Sequence, residues 1–355
     1  MAKVLMKGNE AIAEAAIRAG CKAFFGYPIT PQSEIPEYFS RELPLVGGTF
    51  IQAESEIAAI SMVMGASASG ARVMTSTSGP GYCLKLETIA AMTLTRLPAV
   101  ITVVMRNGPA FGNMKAAQED YRMNGNGGYK VVMLAPSTVQ EAAEMTFEAF
   151  DIADHYRNPV VILADGMIGQ MMGSVDFDLI PPSNFREIKK EWALHGRGSR
   201  NGVPIFHYVP EGRSHYQEKH YAETVLYPSI EKNEVRYEAS GLEDADIIIT
   251  AYGTAARMSR LAINQFSEQN PNINIGYVRP KSLWPFPYDV YQKIGAKCRL
   301  VICPEINIIG QMIDDVKIAV QGRFPVIHVG DSQDEGLRPN NILNMLNEKS
   351  KEYGL

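Results

Sequence analysis

The chain has 355 residues, 46% of them hydrophobic and 21% charged, with a formal net charge of −5. That length accommodates about two to three domains with cores of their own, and the composition is ordinary for a soluble globular protein. The acidic balance gives no reason to expect nucleic acid or an anionic membrane as a partner; no apolar run reaches the roughly 18 residues of a membrane span.

The first residues, MAKVLMKGNEAIAEAAIRAG, read as a short strand and a helix carrying two acids. They lack the basic-then-apolar layout of a signal peptide, so the cytoplasm is the expected compartment. FFGYPITPQSEI (Phe24–Ile35) follows. Pro28 and Pro31 restrict their own φ and hold Tyr27 and Thr30 extended just past an apolar strand. A strand-to-helix turn capped by Ser33 and Glu34 accounts for the pattern. So does a ligand site beyond the carboxyl end of a strand in an open α/β sheet.

FIQAESEIAAISMVMGASASG (Phe50–Gly70) predicts a helix from Glu54 to Ala68. Helix polarity alone favours acids in a first turn. Glu56, however, leads into Ile57, Ala58, Ala59 and Ile60, and a carboxyl at the edge of an apolar pocket could have a raised pKa and act as a proton donor. In VMTSTSGPGYCLKLETIAAM (Val73–Met92) the TSTSGPG stretch punctuates a strand and opens a helix, which suits close backbone approach of a ligand at Ser78 and Gly79. AVITVVM (Ala99–Met105) reads as a buried strand, with Arg106 at its carboxyl end in the glycine-rich loop MRNGPAFGN. KVVML (Lys130–Leu134) and PVVILA (Pro159–Ala164) are further strands, and Thr138–Tyr156 is an amphipathic helix with Ser137 as its N-cap. The alternation argues for a mostly parallel sheet with helices on both faces.

From 181 to 241 the periodicity fails, and a connector lying over the surface is expected. Its basic cluster, Arg186–Arg200, reads as a solvated loop, and packing is the expected role for Tyr208, Tyr216, Tyr221 and Tyr227. ADIIITAYG (Ala245–Gly253) opens a second α/β pattern, with a helix over Thr254–Glu268 and strands in INIGYVRP, LVICPE and PVIHVG. His215 and His220, five apart, lack the spacing of a metal site. The four cysteines, Cys21, Cys83, Cys298 and Cys303, read as buried structural thiols without CxxC spacing. Neither an iron–sulfur cluster nor a metal site is expected in this chain. Dinucleotide and P-loop glycine motifs are absent from the sequence.

In combination and order, YPITPQSEI, AESEIAAI, TSTSGPG and RNGPAFGN, with the second α/β unit behind them, resemble the alpha subunit of a thiamine diphosphate-dependent 2-oxoacid:ferredoxin oxidoreductase. The resemblance spans the chain and is nearest to the branched-chain, 3-methyl-2-oxobutanoate dehydrogenase type, with the 2-oxoglutarate type as rival. It implies two doubly wound, mostly parallel-sheet domains: a pyrimidine-binding domain (1–180) and a transketolase C-terminal-like domain (242–355), joined by the connector. The implied reaction is oxidative decarboxylation of a 2-oxo acid with coenzyme A to acyl-CoA and CO2, electrons passing to ferredoxin.

The resemblance also assigns roles. Glu56 bonds N1′ of the cofactor aminopyrimidine, Thr30 and Arg106 meet the substrate carboxylate, and Tyr27, Pro28, Ile29, Ser78 and Gly79 line the cofactor. A guanidinium fork suits a planar carboxylate. Thiamine enzymes hold the diphosphate and Mg²⁺ through a GDG motif. The nearest match here, Ala164-Asp165-Gly166, lacks the first glycine. The resemblance therefore implies a partner beta subunit that holds diphosphate and Mg²⁺, and gamma and ferredoxin-like subunits that carry the electrons. A non-catalytic scaffold subunit is the alternative.

Overall fold

The computed structural model describes residues 3–108, 114–124, 128–180, 190–194, 214–330 and 336–355. In chain order, β1 (Val4–Lys7) leads to α1 (Gly8–Arg18), β2 (Ala23–Gly26) to α2 (Glu34–Glu42), β3 (Thr49–Gln52) to α3 (Glu56–Ala68), and β4 (Val73–Thr77) to α4 (Gly79–Thr95). Next come β5 (Val100–Met105), β6 (Val132–Leu134), α5 (Val139–Tyr156), β7 (Val160–Asp165), α6 (Gly166–Gln170) and β8 (Met172–Val175). The second half holds α7 (His215–Tyr221), α8 (Tyr227–Asn233), β9 (Tyr237–Ser240), β10 (Ile247–Thr250), α9 (Gly253–Gln269) and β11 (Ile275–Pro280). It ends with β12 (Ser282–Trp284), β13 (Leu300–Pro304), α10 (Met312–Val320), β14 (Val326–Val329) and α11 (Pro339–Glu352).

Three sheets organise these elements: β1 and β8 form a small antiparallel pair, and the other strands build two larger sheets. The first has the order β12-β6-β7-β5-β4-β2-β3 and is parallel except at β12. The second, β14-β13-β10-β11-β9, is parallel except at β9. β5 and β7 are buried along their whole length, as near-continuous apolar runs demand of inner parallel strands. Successive residues send their side chains to opposite faces. Phe24, Val100 and Val104 meet Ile12 of α1 and Phe150 of α5, whereas Phe25, Ile101 and Val103 meet Ile60 of α3 and Tyr82 of α4. The second core continues without a break into Val301 and Val316, so the two sheets share one apolar cluster.

Several expectations are corrected. Helix α3 starts at Glu56, because the Ser55 hydroxyl accepts the N–H of Ala58 at 3.1 Å; Glu54 lies before the helix and is exposed. α5 is capped by Thr138, whose side chain accepts from the Glu141 N–H at 3.1 Å, while Ser137 instead donates its N–H and hydroxyl to the Glu141 carboxylate. Ser33 precedes α2 without a side-chain cap bond. Cys21, Cys298 and Cys303 are buried, but Cys83 is exposed on α4.

The expected connector is not only a surface strap. Leu226, Tyr227 and Ile230 are buried in the first domain's core, and β9 completes the second sheet. In return, β12 from the carboxyl-terminal half extends the first sheet. Tyr227 packs edge-on to Trp284, and Arg96 lies over the Tyr221 ring, whereas Tyr216 is exposed. Tyr208, most of the Arg186–Arg200 cluster and Pro109–Asn113 of the glycine-rich loop lie outside the described residues. Among the described residues, no helix is long and apolar enough to cross a membrane.

Candidate active site

Residues singled out along the sequence come together at the carboxyl ends of β2, β4 and β5, where open parallel sheets place their ligand sites. The turn after β2 is fixed from several sides. The Pro31 carbonyl accepts from Asn9 at 2.8 Å and from Gln170 at 2.9 Å, and Gln32 donates to the Tyr27 carbonyl at 3.1 Å. Ser76 of β4 donates to the Gln32 side chain. Glu34 receives Lys7, Asn9 and Gln170, each at 2.8 Å. Burial pushes the Glu34 carboxyl up, but those donors outweigh it and hold it below the usual range. The result is a rigid turn that leaves Tyr27, Pro28 and Thr30 exposed and Ile29 half-buried.

Arg106 reaches this turn from the end of β5. It is buried, and Nη1 donates to the Thr30 carbonyl at 2.8 Å. Thr30 and Arg106 are thus neighbours, with the contact running through the Thr30 backbone. Arg106 Nε has no partner among the described residues and lies beside Gly79, where a Cβ would stand 3.0 Å from it. Gly79 also has φ +45, a conformation that favours glycine.

Glu56 lies on the other side of the same glycine turn. It is 2% exposed and does not stand in an apolar pocket. Thr77 of β4 donates to Oε1 at 2.6 Å, and Lys85 of α4 places Nζ 2.6 Å from Oε2. A Cβ on Gly81 would collide with Glu56 Oε1 and Thr77 Oγ1. Gly79 and Gly81 of the SGPG turn therefore let α4 begin between the arginine and the glutamate. Ser78, the residue before α4, is buried with its hydroxyl unpartnered among the described residues.

Asp120 closes the back of the site. Its Oδ2 accepts the N–H of Gly79 at 3.2 Å and of Arg106 at 3.4 Å, while Oδ1 has no partner among the described residues. Burial pushes this carboxyl up to about 7, against those two bonds and the Arg106 charge. Sequence reasoning missed Thr77, Gly81, Lys85 and Asp120. One signal was present for Lys85: a single lysine flanked by Leu84 and Leu86 in a helix with few charged residues.

Asp165, of the partial GDG motif, is already engaged. It accepts the Thr254 N–H at 2.8 Å, the Thr254 hydroxyl at 2.7 Å and the Ile168 N–H at 3.1 Å. It therefore joins β7 to the start of α9, tying one unit to the other.

A parallel sheet with a buried, hydrogen-bonded glutamate and a glycine turn at its strand ends, backed by a second α/β unit, defines a transketolase-like class of α/β protein. A solved split-gene transketolase shares that fold at a TM-score of 0.60 and 15% identity, covering 97% of each chain. The family model for pyruvate flavodoxin/ferredoxin oxidoreductase, thiamine diphosphate-binding, matches residues 14–236, and that for pyruvate:ferredoxin oxidoreductase core domain II matches 245–339. The chain belongs to the thiamine diphosphate-dependent 2-oxoacid:ferredoxin oxidoreductase family.

It is 43% identical to ketoisovalerate oxidoreductase subunit VorB of Methanothermobacter thermautotrophicus, over 90% of each chain. It is 35% identical to 2-oxoglutarate synthase subunit KorA of Methanocaldococcus jannaschii, over 95% of this chain and 97% of that one. Among solved structures, the 2-oxoglutarate:ferredoxin oxidoreductase of Magnetococcus marinus, with 2-oxoglutarate, coenzyme A and succinyl-CoA bound, superposes at a TM-score of 0.86 with 26% identity. This chain is covered to 98% and spans 65% of that longer one.

Proposed function

We propose that this chain carries the aminopyrimidine half of a thiamine diphosphate site and, completed by a partner subunit, decarboxylates a branched-chain 2-oxo acid, 3-methyl-2-oxobutanoate, with coenzyme A and ferredoxin as co-substrates. The observation that carries this reading is the buried Glu56 at the start of α3, with Thr77 and Lys85 on its oxygens and Gly81 leaving room beside it. The site fits a polar ligand: Ser78 Oγ, Arg106 Nε and Asp120 Oδ1 are buried around one turn with no partner among the described residues. When bound, thiamine diphosphate supplies the nucleophilic carbon and the electron sink. Glu56 holds and moves the proton at N1′. Thr30 and Arg106 orient the 2-oxo acid carboxylate, and Tyr27, Pro28, Ile29, Ser78 and Gly79 line the cofactor.

The engagement of Asp165 by Thr254 and Ile168 supports a partner that holds the diphosphate and Mg²⁺. Electrons would leave through ferredoxin-like and gamma subunits in the cytoplasm. The branched-chain assignment draws its support from the higher identity to the ketoisovalerate relatives, 43% and 42%, than to the 2-oxoglutarate ones, at most 35%. Assaying the assembled enzyme with ferredoxin and a panel of 2-oxo acids tests it. The highest kcat/KM is expected for 3-methyl-2-oxobutanoate; an equal or higher value for 2-oxoglutarate overturns the substrate assignment.

A further inference from the structure

Lys85 sits where a lysine is costly. It is fully buried in the middle of α4, between two leucines, with no exposed surface for its ammonium group. A buried charge is retained only when it is paired and hydrogen-bonded. Lys85 has both kinds of contact: Glu56 Oε2 at 2.6 Å and Thr75 Oγ1 at 3.0 Å. Burial pulls its pKa down, and the charge of Glu56 and its hydrogen bond oppose that. β4 faces it with the hydroxyls of Thr75 and Thr77, the latter also bonded to Glu56.

We infer that Lys85 is a positioning residue for Glu56: its buried ammonium, 2.6 Å from Oε2, fixes the orientation in which the carboxyl group meets N1′. Packing alone does not account for the arrangement. A leucine or methionine would fill the same volume without removing a charge from water, and a buried ion pair often gains nothing in stability over an apolar replacement. The pair also divides the work on Glu56. Thr77 binds Oε1 and Lys85 binds Oε2, so rotation of the carboxyl plane would break both contacts at once. Lys85 has no exposed surface and acts on the chemistry only through Glu56.

This inference rests on the assignment of Glu56 to N1′, and the experiment separates the two. Four forms of the assembled enzyme are compared: parent, Glu56→Gln, Lys85→Met and the double variant. Infrared spectra of the cofactor-free enzyme read the carboxyl band of Glu56. Hydrogen–deuterium exchange at C2 of bound thiamine diphosphate reads its effect.

In Lys85→Met the carboxyl loses the cation at Oε2 and is held by Thr77 alone. A displaced Glu56 carboxyl band is therefore expected that the double variant lacks. Exchange should slow roughly 10- to 100-fold, less than the roughly 10²- to 10⁴-fold of a lost acid–base group in Glu56→Gln. No displaced band and an unchanged exchange rate in Lys85→Met, with Glu56→Gln slow, overturns the role of Lys85 alone. Glu56→Gln exchanging at the parent rate overturns the cofactor assignment, and this inference with it. Should Lys85→Met fail to assemble, Thr75→Val decides: it removes one ammonium contact, a smaller slowing is expected, and an unchanged rate overturns the inference.

Discussion

Asp120 has no counterpart in the sequence patterns, yet it touches two elements of the site at once. Its carboxyl stands at about 7 because burial disfavours the charged form, against an ordinary value of 3.8. The linkage follows from the direction of that shift. The folded chain keeps a proton that the unfolded chain releases above its ordinary value, so stability falls as pH rises from about 4 to about 7 and stays low above that. Asp120→Asn retains one oxygen for the Gly79 and Arg106 N–H groups and carries no charge. It should be more stable than the parent at pH 8 by roughly 2 to 4 kcal/mol, with the difference vanishing toward pH 4. Denaturant unfolding of the purified chain at the two pH values measures this; equal stability at pH 8 would mean that Asp120 is solvated or paired.

At the scale of elements, the two units are joined by polar contacts as well as by their common apolar cluster. Arg279 of β11 is buried and forks onto Glu141 of α5, at 2.7 Å from Nη1 and 2.5 Å from Nη2, while Glu238 of β9 takes a further bond at 2.8 Å. Burial pushes Glu141 up, but Arg279 and Ser137 outweigh it and hold the carboxyl at about 2, down from 4.5. The contribution is fully present above pH 4.5 and is lost as pH falls through 2. A shift of that size corresponds to about 3 kcal/mol. Glu141→Gln should lower stability by about that amount at pH 7 and by little near pH 2, which unfolding curves of the two proteins would show. A loss that is the same at both pH values would assign the effect to packing.

The same elements show what the sequence can and cannot carry. The alternation of apolar runs and amphipathic stretches places most strands and helices correctly, because burial on one or both faces imposes a period. β9 and β12 escape that reading. They are short and antiparallel at sheet edges, and their partners lie in other parts of the chain. Ser137 and Thr138 are adjacent hydroxyls, and only the backbone geometry decides which caps α5. In the site, Pro28, Pro31, Glu56 and the SGPG turn are legible because their spacing is local. Lys85 and Asp120 acquire their meaning from residues 29 and 41 positions away, Glu56 and Gly79.

Across the whole molecule, the site lies beside an apolar surface. Tyr27, Ile51, Ile57 and Leu84, at 38%, 40%, 55% and 52% exposure, come from the turn after β2, from β3 and from the outer faces of α3 and α4. Helices α3 and α4 are apolar on most of their surface, which is the pattern of buried helices, yet one side of each is uncovered. If the proposed partner chain covers that side, its diphosphate-binding half would meet the strand ends that carry Glu56 and Arg106. On the reading proposed above, this chain would supply the glutamate and the turn, while Asp165 is committed to Thr254 and Ile168. Binding to the chain alone would therefore draw on the aminopyrimidine contacts without the charge-assisted ones of the diphosphate, and those are the stronger class. Calorimetry on the isolated chain with thiamine diphosphate and Mg²⁺ should show no micromolar binding, and adding the partner subunit should produce it. Micromolar affinity without the partner would place the diphosphate site in this chain and defeat the shared-site assignment.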